Sequence, residues 1–295
     1  MEFLVFLAAY ILRRRLDQSE RLSADGLWQR IFSRYDRVAG RQESGFGRGL
    51  LLIGLPVFVV GLGEFLLREM GWSLAVHPLA LLLLVILMGT PGLGGMLDAY
   101  IRAWRRGDLQ AAWRHLDGFL SAAEQSAATS PQRMHLVVCR MLILRFFERY
   151  FVIAFWYLLA GAAGALAAAG VTALRDHWPH ASARQGYARL VNGLDYIPAR
   201  LLGLSFGIAG DLAGWLKDGL SALMLPWKEN AQSLARAANA ALTGYELQPE
   251  RFSELAPGEW PDFAERSLAA IRGLLNRSML AWICLLALLV IAGIV

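Results

Sequence analysis

The sequence predicts an all-α integral membrane protein, with about four transmembrane helices and a set of interfacial and cytoplasmic amphipathic helices around them. Three observations carry this. Hydrophobic residues make up 56% of the 295-residue chain and charged residues only 18%, against about 25% charged in a soluble globular protein, and mean hydropathy is +0.42. Several uncharged apolar blocks approach or exceed the roughly 20 helical residues that cross a hydrocarbon core. Arginines crowd some polar connections and nearly vanish from another, as positive-inside topology requires. A buried core helix would explain any one apolar block; it does not explain all of them together.

Phe3–Leu12 is apolar but ten residues long, too short to span. Arg13-Arg14-Arg15 follows it instead of preceding it. That is the reverse of a secretory signal peptide, and no small-residue cleavage site follows. A half-inserted or interfacial helix is expected, anchored by its arginines at the headgroups. Leu50–Gly63 has 14 uncharged residues and becomes a span, about 50–67, by continuing past Glu64 to Leu67. Leu79–Leu97 has 19, Phe151–Leu174 has 24 and Met279–Val295 has 17. Spans are therefore expected at about 50–67, 79–97, 151–174 and 279–295, in one membrane domain, 1–295, with polar helical loops at 98–150 and 217–278. The stretch 197–216 is apolar apart from Arg200 and Asp211. A re-entrant or interfacial segment is the preferred reading; a fifth span is the alternative.

Residues 13–48 carry nine arginines and five acids, 98–149 eight arginines and five acids, and 64–78 only Arg68 as a base. The first two connections are thus expected in the cytoplasm and the third outside. Residues 175–278 hold eleven basic and eleven acidic residues and give no vote. The excess of +5 is almost all arginine, with Lys217 and Lys228 the only lysines. Juxtamembrane arginines set topology and bind anionic lipid. No basic stripe with interleaved aromatics suggests nucleic acid.

In the polar segments, Asp108 is a good N-cap. Leu109, Ala112, Trp113, Leu116, Phe119, Leu120 and Ala123 then recur at helical spacing. This stripe over 109–123 would pack on the spans or dock a protein partner. Ala127–Gln132 reads as a turn, and Gln132–Tyr150 as a helix feeding the third span. Glu229–Thr243 reads as an amphipathic helix, Gln248–Asp262 as a proline- and acid-rich loop, and Phe263–Arg277 as a helix leading into the last span. Gly161, Gly164, Ala165, Ala168 and Gly170 are small enough for close helix packing.

Familiar catalytic patterns are missing. Gly89-Thr90-Pro91-Gly92-Leu93-Gly94-Gly95 has the glycines of a phosphate loop but not its Lys-Ser/Thr. His77, His115, His135, His177 and His180 show no metal spacing, and His177-Trp178 suits a membrane interface. Cys139 and Cys284 have no CxxC or Cys/His partner nearby and read as small hydrophobes. No metal, no cofactor and no catalytic residue is expected.

Four stretches carry a resemblance: the arginine-rich segment after the short apolar start; Tyr100-Ile101-Arg102-Ala103-Trp104-Arg105-Arg106-Gly107-Asp108; Arg149 through Gly161; and Leu194-Asp195-Tyr196-Ile197-Pro198-Ala199-Arg200-Leu201. In order and spacing they resemble the AmpE family, covering nearly the whole chain. That resemblance implies a multi-pass protein of the bacterial inner membrane, more a signalling modulator than an enzyme. It would act in β-lactamase induction and peptidoglycan recycling beside an anhydromuramyl-peptide amidase. AmpE is in turn similar to the CobD/CbiB synthases, which imply ATP-dependent amide-bond formation in cobalamin biosynthesis. Here the acid and amide motifs of that branch are replaced by Val137-Val138-Cys139-Arg140-Met141-Leu142 and Val171-Thr172-Ala173-Leu174-Arg175-Asp176, with Asp176 as a relic.

Arg102, Asp108, Glu148, Arg149, Asp195 and Arg200 lie near the expected membrane boundaries. One reading makes them a structural ion-pair network. The other makes Arg102, Asp108, Arg149, Asp195 and Arg200 a pocket for an anionic ligand, a nucleotide or a cell-wall fragment, since arginine's planar fork suits phosphate and carboxylate.

Overall fold

In the computed structural model the described residues are 2–17, 24–39, 45–120, 122–226, 229–242 and 247–293. Arg21, Arg41, Lys228 and the last two residues of the expected C-terminal span lie outside them. Among the described residues every element is helical. In order they are α1 (Glu2–Leu16), α2 (Ala24–Ala39), α3 (Phe46–Glu69), α4 (Ser73–Leu87), α5 (Leu93–Arg105), α6 (Leu109–His115), α7 (Ala122–Ala127) and α8 (Pro131–Phe146). A π-helical turn, Phe147–Val152, joins α8 to α9 (Ile153–His177). Then come α10 (Ala181–Ala209), α11 (Leu212–Gly214), a second π turn (Trp215–Gly219), α12 (Leu220–Leu223), α13 (Asn230–Ala241), α14 (Pro249–Leu255) and α15 (Trp260–Ile291). Three helical stretches are long and apolar enough to cross a membrane: Phe46–Glu69, Pro131–His177 and Pro257–Ile291.

The expected span at 79–97 is not one helix. α4 stops at Leu87, and Gly89 and Gly92 take positive φ (99° and 78°) around Pro91 before α5 begins. At 15 residues, α4 is about 22 Å long, short of a hydrocarbon core of about 30 Å.

The expected span at 151–174 is also not straight. Ala160 (φ −137°, ψ 21°) and Gly161 (φ 67°, ψ −163°) leave helical geometry. Glu148 and Arg175 would stand about 40 Å apart on a continuous helix, yet their side chains are hydrogen bonded. α9 is therefore a helical hairpin with its tip at 160–161. A Cβ on Gly164 would meet the Trp156 carbonyl oxygen at 2.6 Å, so the two limbs approach closely at a small residue.

The chain packs as two compact units, the first formed by residues up to Pro91 with Phe147–Pro198, the second by Gly92–Phe146 with Ala199–Ala292. In the first, α3 runs antiparallel to the returning limb of α9: Gly61 faces Ala163, and Ile53 fills the space above Gly170. α1 lies along α4, with Glu2 bonded to Arg68 near one end and Arg13 to the Val85 carbonyl near the other. Phe46 stacks on Tyr187 of α10, whose hydroxyl donates to the Phe46 carbonyl oxygen (2.8 Å). Trp178 is buried among Phe32, Tyr35 and Tyr187, a core residue and not the interfacial anchor expected of it.

In the second unit, Asp108 caps α6 as expected, accepting from the Ala111 N–H at 2.9 Å. The helix ends at His115, well before Ala123, and Gly118 turns at φ 80°. Ala112, Leu116 and Leu120 are buried, whereas Leu109 is exposed and Trp113 and Phe119 are half-buried, so part of the stripe packs within the unit. The segment 248–262, expected as a loop, forms α14 behind Pro249 at its first turn, where proline suits a helix start. α15 joins the expected amphipathic helix and last span without a break.

Candidate functional site

The functional candidates of the first unit collect at the open end of the α9 hairpin. A π turn widens the helix by one residue and often marks functional positions. Here all six residues of Phe147–Val152 are buried, so three adjacent polar side chains, Glu148, Arg149 and Tyr150, are largely shielded from solvent and need partners. Each reaches a different element. Glu148 accepts from Arg175 Nη1 and Nη2 at 2.6 and 2.9 Å. Arg149 pairs with Asp25 of α2. Tyr150 donates to Asp17, which follows α1.

Arg175 also bonds Asp176 (2.7 and 3.1 Å). Asp195 of α10 is 5% exposed and lies within electrostatic reach of Glu148 and Arg175. Burial pushes its carboxyl well above the usual range; Glu148 pushes the same way, and Arg175 pulls back. Asp25 is held well below that range. Burial would raise it, but His177 and Arg149 outweigh burial, with His177 Nε2 3.5 Å from its Oδ1.

The network continues through Asp17. This carboxylate pairs with Arg13 (3.0 Å) and accepts from the Thr90 N–H (3.3 Å). Arg13 is 1% exposed and fills the space beside Gly89. Of the three arginines expected at the headgroups, the first is thus a core residue. Gly89 and Thr90, read as part of a phosphate-loop look-alike, are held by α1. Arg13, Arg149 and Arg175 face Asp17, Asp25, Glu148, Asp176 and Asp195, so carboxylates outnumber arginines.

The remaining candidates lie in the second unit. Arg102 is exposed on α5, and Asp108 is a helix cap. Arg200 donates from Nε to the Leu223 carbonyl (3.2 Å), from Nη1 to Asn230 Oδ1 (2.6 Å) and from Nη2 to the Leu225 carbonyl. Its fork ties α10 to the end of α12 and the start of α13. Asp195 has Glu148 and Arg175 within electrostatic reach, and Arg200 bonds the residues around α12 and α13. A second polar node was also missed. His135, fully buried, has Tyr100 Oη 3.0 Å from Nδ1 and Ser267 Oγ 2.6 Å from Nε2. Cys139 Sγ lies 3.2 Å from the same Nε2. Cys139 thus has a histidine partner one turn away, at an i, i+4 spacing visible in the sequence.

What the first unit offers chemically is a buried, carboxylate-rich network that joins α1, α2, both limbs of α9 and α10. Among the described residues no group of His, Cys, Asp and Glu is placed to hold a metal ion. The family model described as Regulatory signalling modulator protein AmpE matches residues 1–294. The chain belongs to the AmpE family. No curated protein and no solved structure matches it. The AmpE match spans both units and so takes in the Glu148–Arg175 network and the His135 node alike. Membership assigns a regulatory role to an all-helical protein with membrane-grade helices.

Proposed function

We propose that this AmpE-family chain is a multi-pass inner-membrane modulator that links the state of cell-wall recycling to β-lactamase induction. The observation that carries the proposal is the family match over residues 1–294. The site chemistry agrees with a modulator: the polar residues of the π turn engage partners on α2, on the far limb of α9 and just after α1, an arrangement that can transmit a shift of one helix to its neighbours. Deleting the gene while leaving the neighbouring amidase intact is expected to change β-lactamase induction by β-lactams. Unchanged induction in such a strain would remove the proposal. Restored cobinamide-phosphate synthesis in a synthase-less strain would instead place the chain with the CobD/CbiB enzymes.

A further inference from the structure

A lateral cleft of about 370 Å³ lies within the first unit, against α3 and α4. Its volume falls in the range of small-molecule sites, about 300–1,000 Å³. Gly63 and Leu67 of α3 and Leu79, Leu83 and Ile86 of α4 contribute hydrocarbon walls, and among the described residues Glu64 is the one charged residue in the lining.

Glu64 belongs to a helix apolar and long enough to cross a membrane. A carboxylate there is costly, and such residues mark places where a charge is paired or used. Arg68, one turn further along α3, is its natural neutraliser, and that guanidinium also bonds Glu2 at 2.7 Å, so one cation serves two carboxylates. What Glu64 does hold is the hairpin tip. Its Oε1 accepts from the Ala162 N–H at 3.1 Å, a donor left free where the returning limb begins. That uses one acceptor position of a group that offers about four.

The walls alone cannot select a ligand, because a hydrocarbon chain is as well accommodated among lipid tails as in this cleft. Selection must come from the head that meets Glu64, and a cationic N–H donor adds to the hydrogen bond the attraction of a full opposite charge, which a neutral donor lacks. We propose that the cleft holds a single hydrocarbon chain with an ammonium head, the head donating to Glu64 and the chain lying along α3 and α4. Two sources share that chemistry: an aminophospholipid of the bilayer and a free long-chain amine.

The test uses the full chain in phosphatidylcholine vesicles and an alkylammonium probe with a mid-chain diazirine, crosslinked and mapped by peptide mass spectrometry. Label is expected on α3 and α4. Glu64→Gln keeps an acceptor for Ala162 but loses the charge, and should lower labelling about tenfold, the equivalent of one charge-assisted hydrogen bond. Leu83→Trp fills the cleft with Glu64 intact and should also abolish labelling. An alkyl alcohol carrying the same diazirine should label weakly and equally in wild type and Glu64→Gln. Adding phosphatidylethanolamine distinguishes the sources: lost labelling identifies the aminophospholipid, and retained labelling the free amine. Equal ammonium labelling of wild type and Glu64→Gln, alcohol labelling as strong as ammonium labelling, or label spread evenly over all apolar helices would each overturn the proposal.

Discussion

Glu148 and Arg175 clasp one another through two hydrogen bonds, 2.6 and 2.9 Å, although 27 residues separate them in sequence. The clasp closes the open end of the α9 hairpin. Arg175→Gln removes it and leaves Glu148, Asp176 and Asp195 facing one another with Arg175's charge gone. Breaking one side of a buried pair typically costs about 3–5 kcal/mol. Because Arg175 is a quarter exposed, a loss near 3 kcal/mol is expected in detergent unfolding, with part recovered in the Glu148→Gln/Arg175→Gln double variant. A loss under about 0.5 kcal/mol, the scale of an ordinary surface substitution, would show that the clasp does not hold the hairpin.

Asp195 supplies a pH signature. Its folded pKa is raised, by burial first and by Glu148 second, with Arg175 opposing. A raised carboxyl pKa means that the folded state holds its proton more tightly than the unfolded chain, whose value is about 3.9. The stabilisation is fully present below that value and is lost as pH rises through the folded pKa. Asp195→Asn abolishes this dependence. The variant and the wild type should therefore melt together near pH 4, and the variant should gain steadily on the wild type toward pH 8. Parallel melting curves across that range would mean that Asp195 does not titrate with folding.

The hairpin tip rests on a glycine. Gly161 has φ 67° and ψ −163°, a region open essentially to glycine alone, and an added Cβ would stand 2.9 Å from Glu64 Oε2. Gly161→Ala should cost about 1–3 kcal/mol. Gly193 of α10 has nothing within 4 Å of the position a Cβ would take, so Gly193→Ala should stabilise by roughly 0.5–1 kcal/mol. Thermal melting of the two variants side by side separates tip geometry from a general effect of added methyl groups.

The class of fold was legible because hydropathy and arginine distribution are properties of the chain as written. α3 and α15 followed from apolar length, and the Asp108 cap from its residue type. The hairpin was not legible. Phe151–Leu174 reads as uninterrupted hydrocarbon, and a reversal at Gly161 depends on Glu64, nearly a hundred residues earlier, to receive the freed N–H. The run of glycine and alanine is the one available signal, and in the sequence close packing alone accounts for it. Gly170 does pack, against Ile53, whereas Gly161 and Gly164 serve the reversal. The charge network was half legible for the same reason. Glu148, Arg149 and Asp195 stood out as expensive charges. Their partners Asp25 and Arg175 became neighbours only after α9 folded back, and Arg200 turned to the carbonyls at the end of α12 instead.

The glycine run after α4 separates a structural loop from a phosphate loop. Gly89 has φ 99°, and a Cβ there would stand 1.8 Å from Arg13 Nε. Gly89→Ala must therefore displace a guanidinium that is 1% exposed, pairs with Asp17 and donates to the Val85 carbonyl. The expected loss is about 3 kcal/mol or more, the scale of an uncompensated buried charge. Gly94, five residues on, has nothing within 4 Å of the position a Cβ would take, so Gly94→Ala should leave stability unchanged or slightly raised. A loop that cradled phosphate would need its backbone open along the whole run, and Gly94→Ala would then weaken nucleotide binding without touching Arg13. Measuring melting temperature and binding of a fluorescent ATP analogue for both variants decides between the two: loss of stability confined to Gly89→Ala assigns the run to anchoring α1.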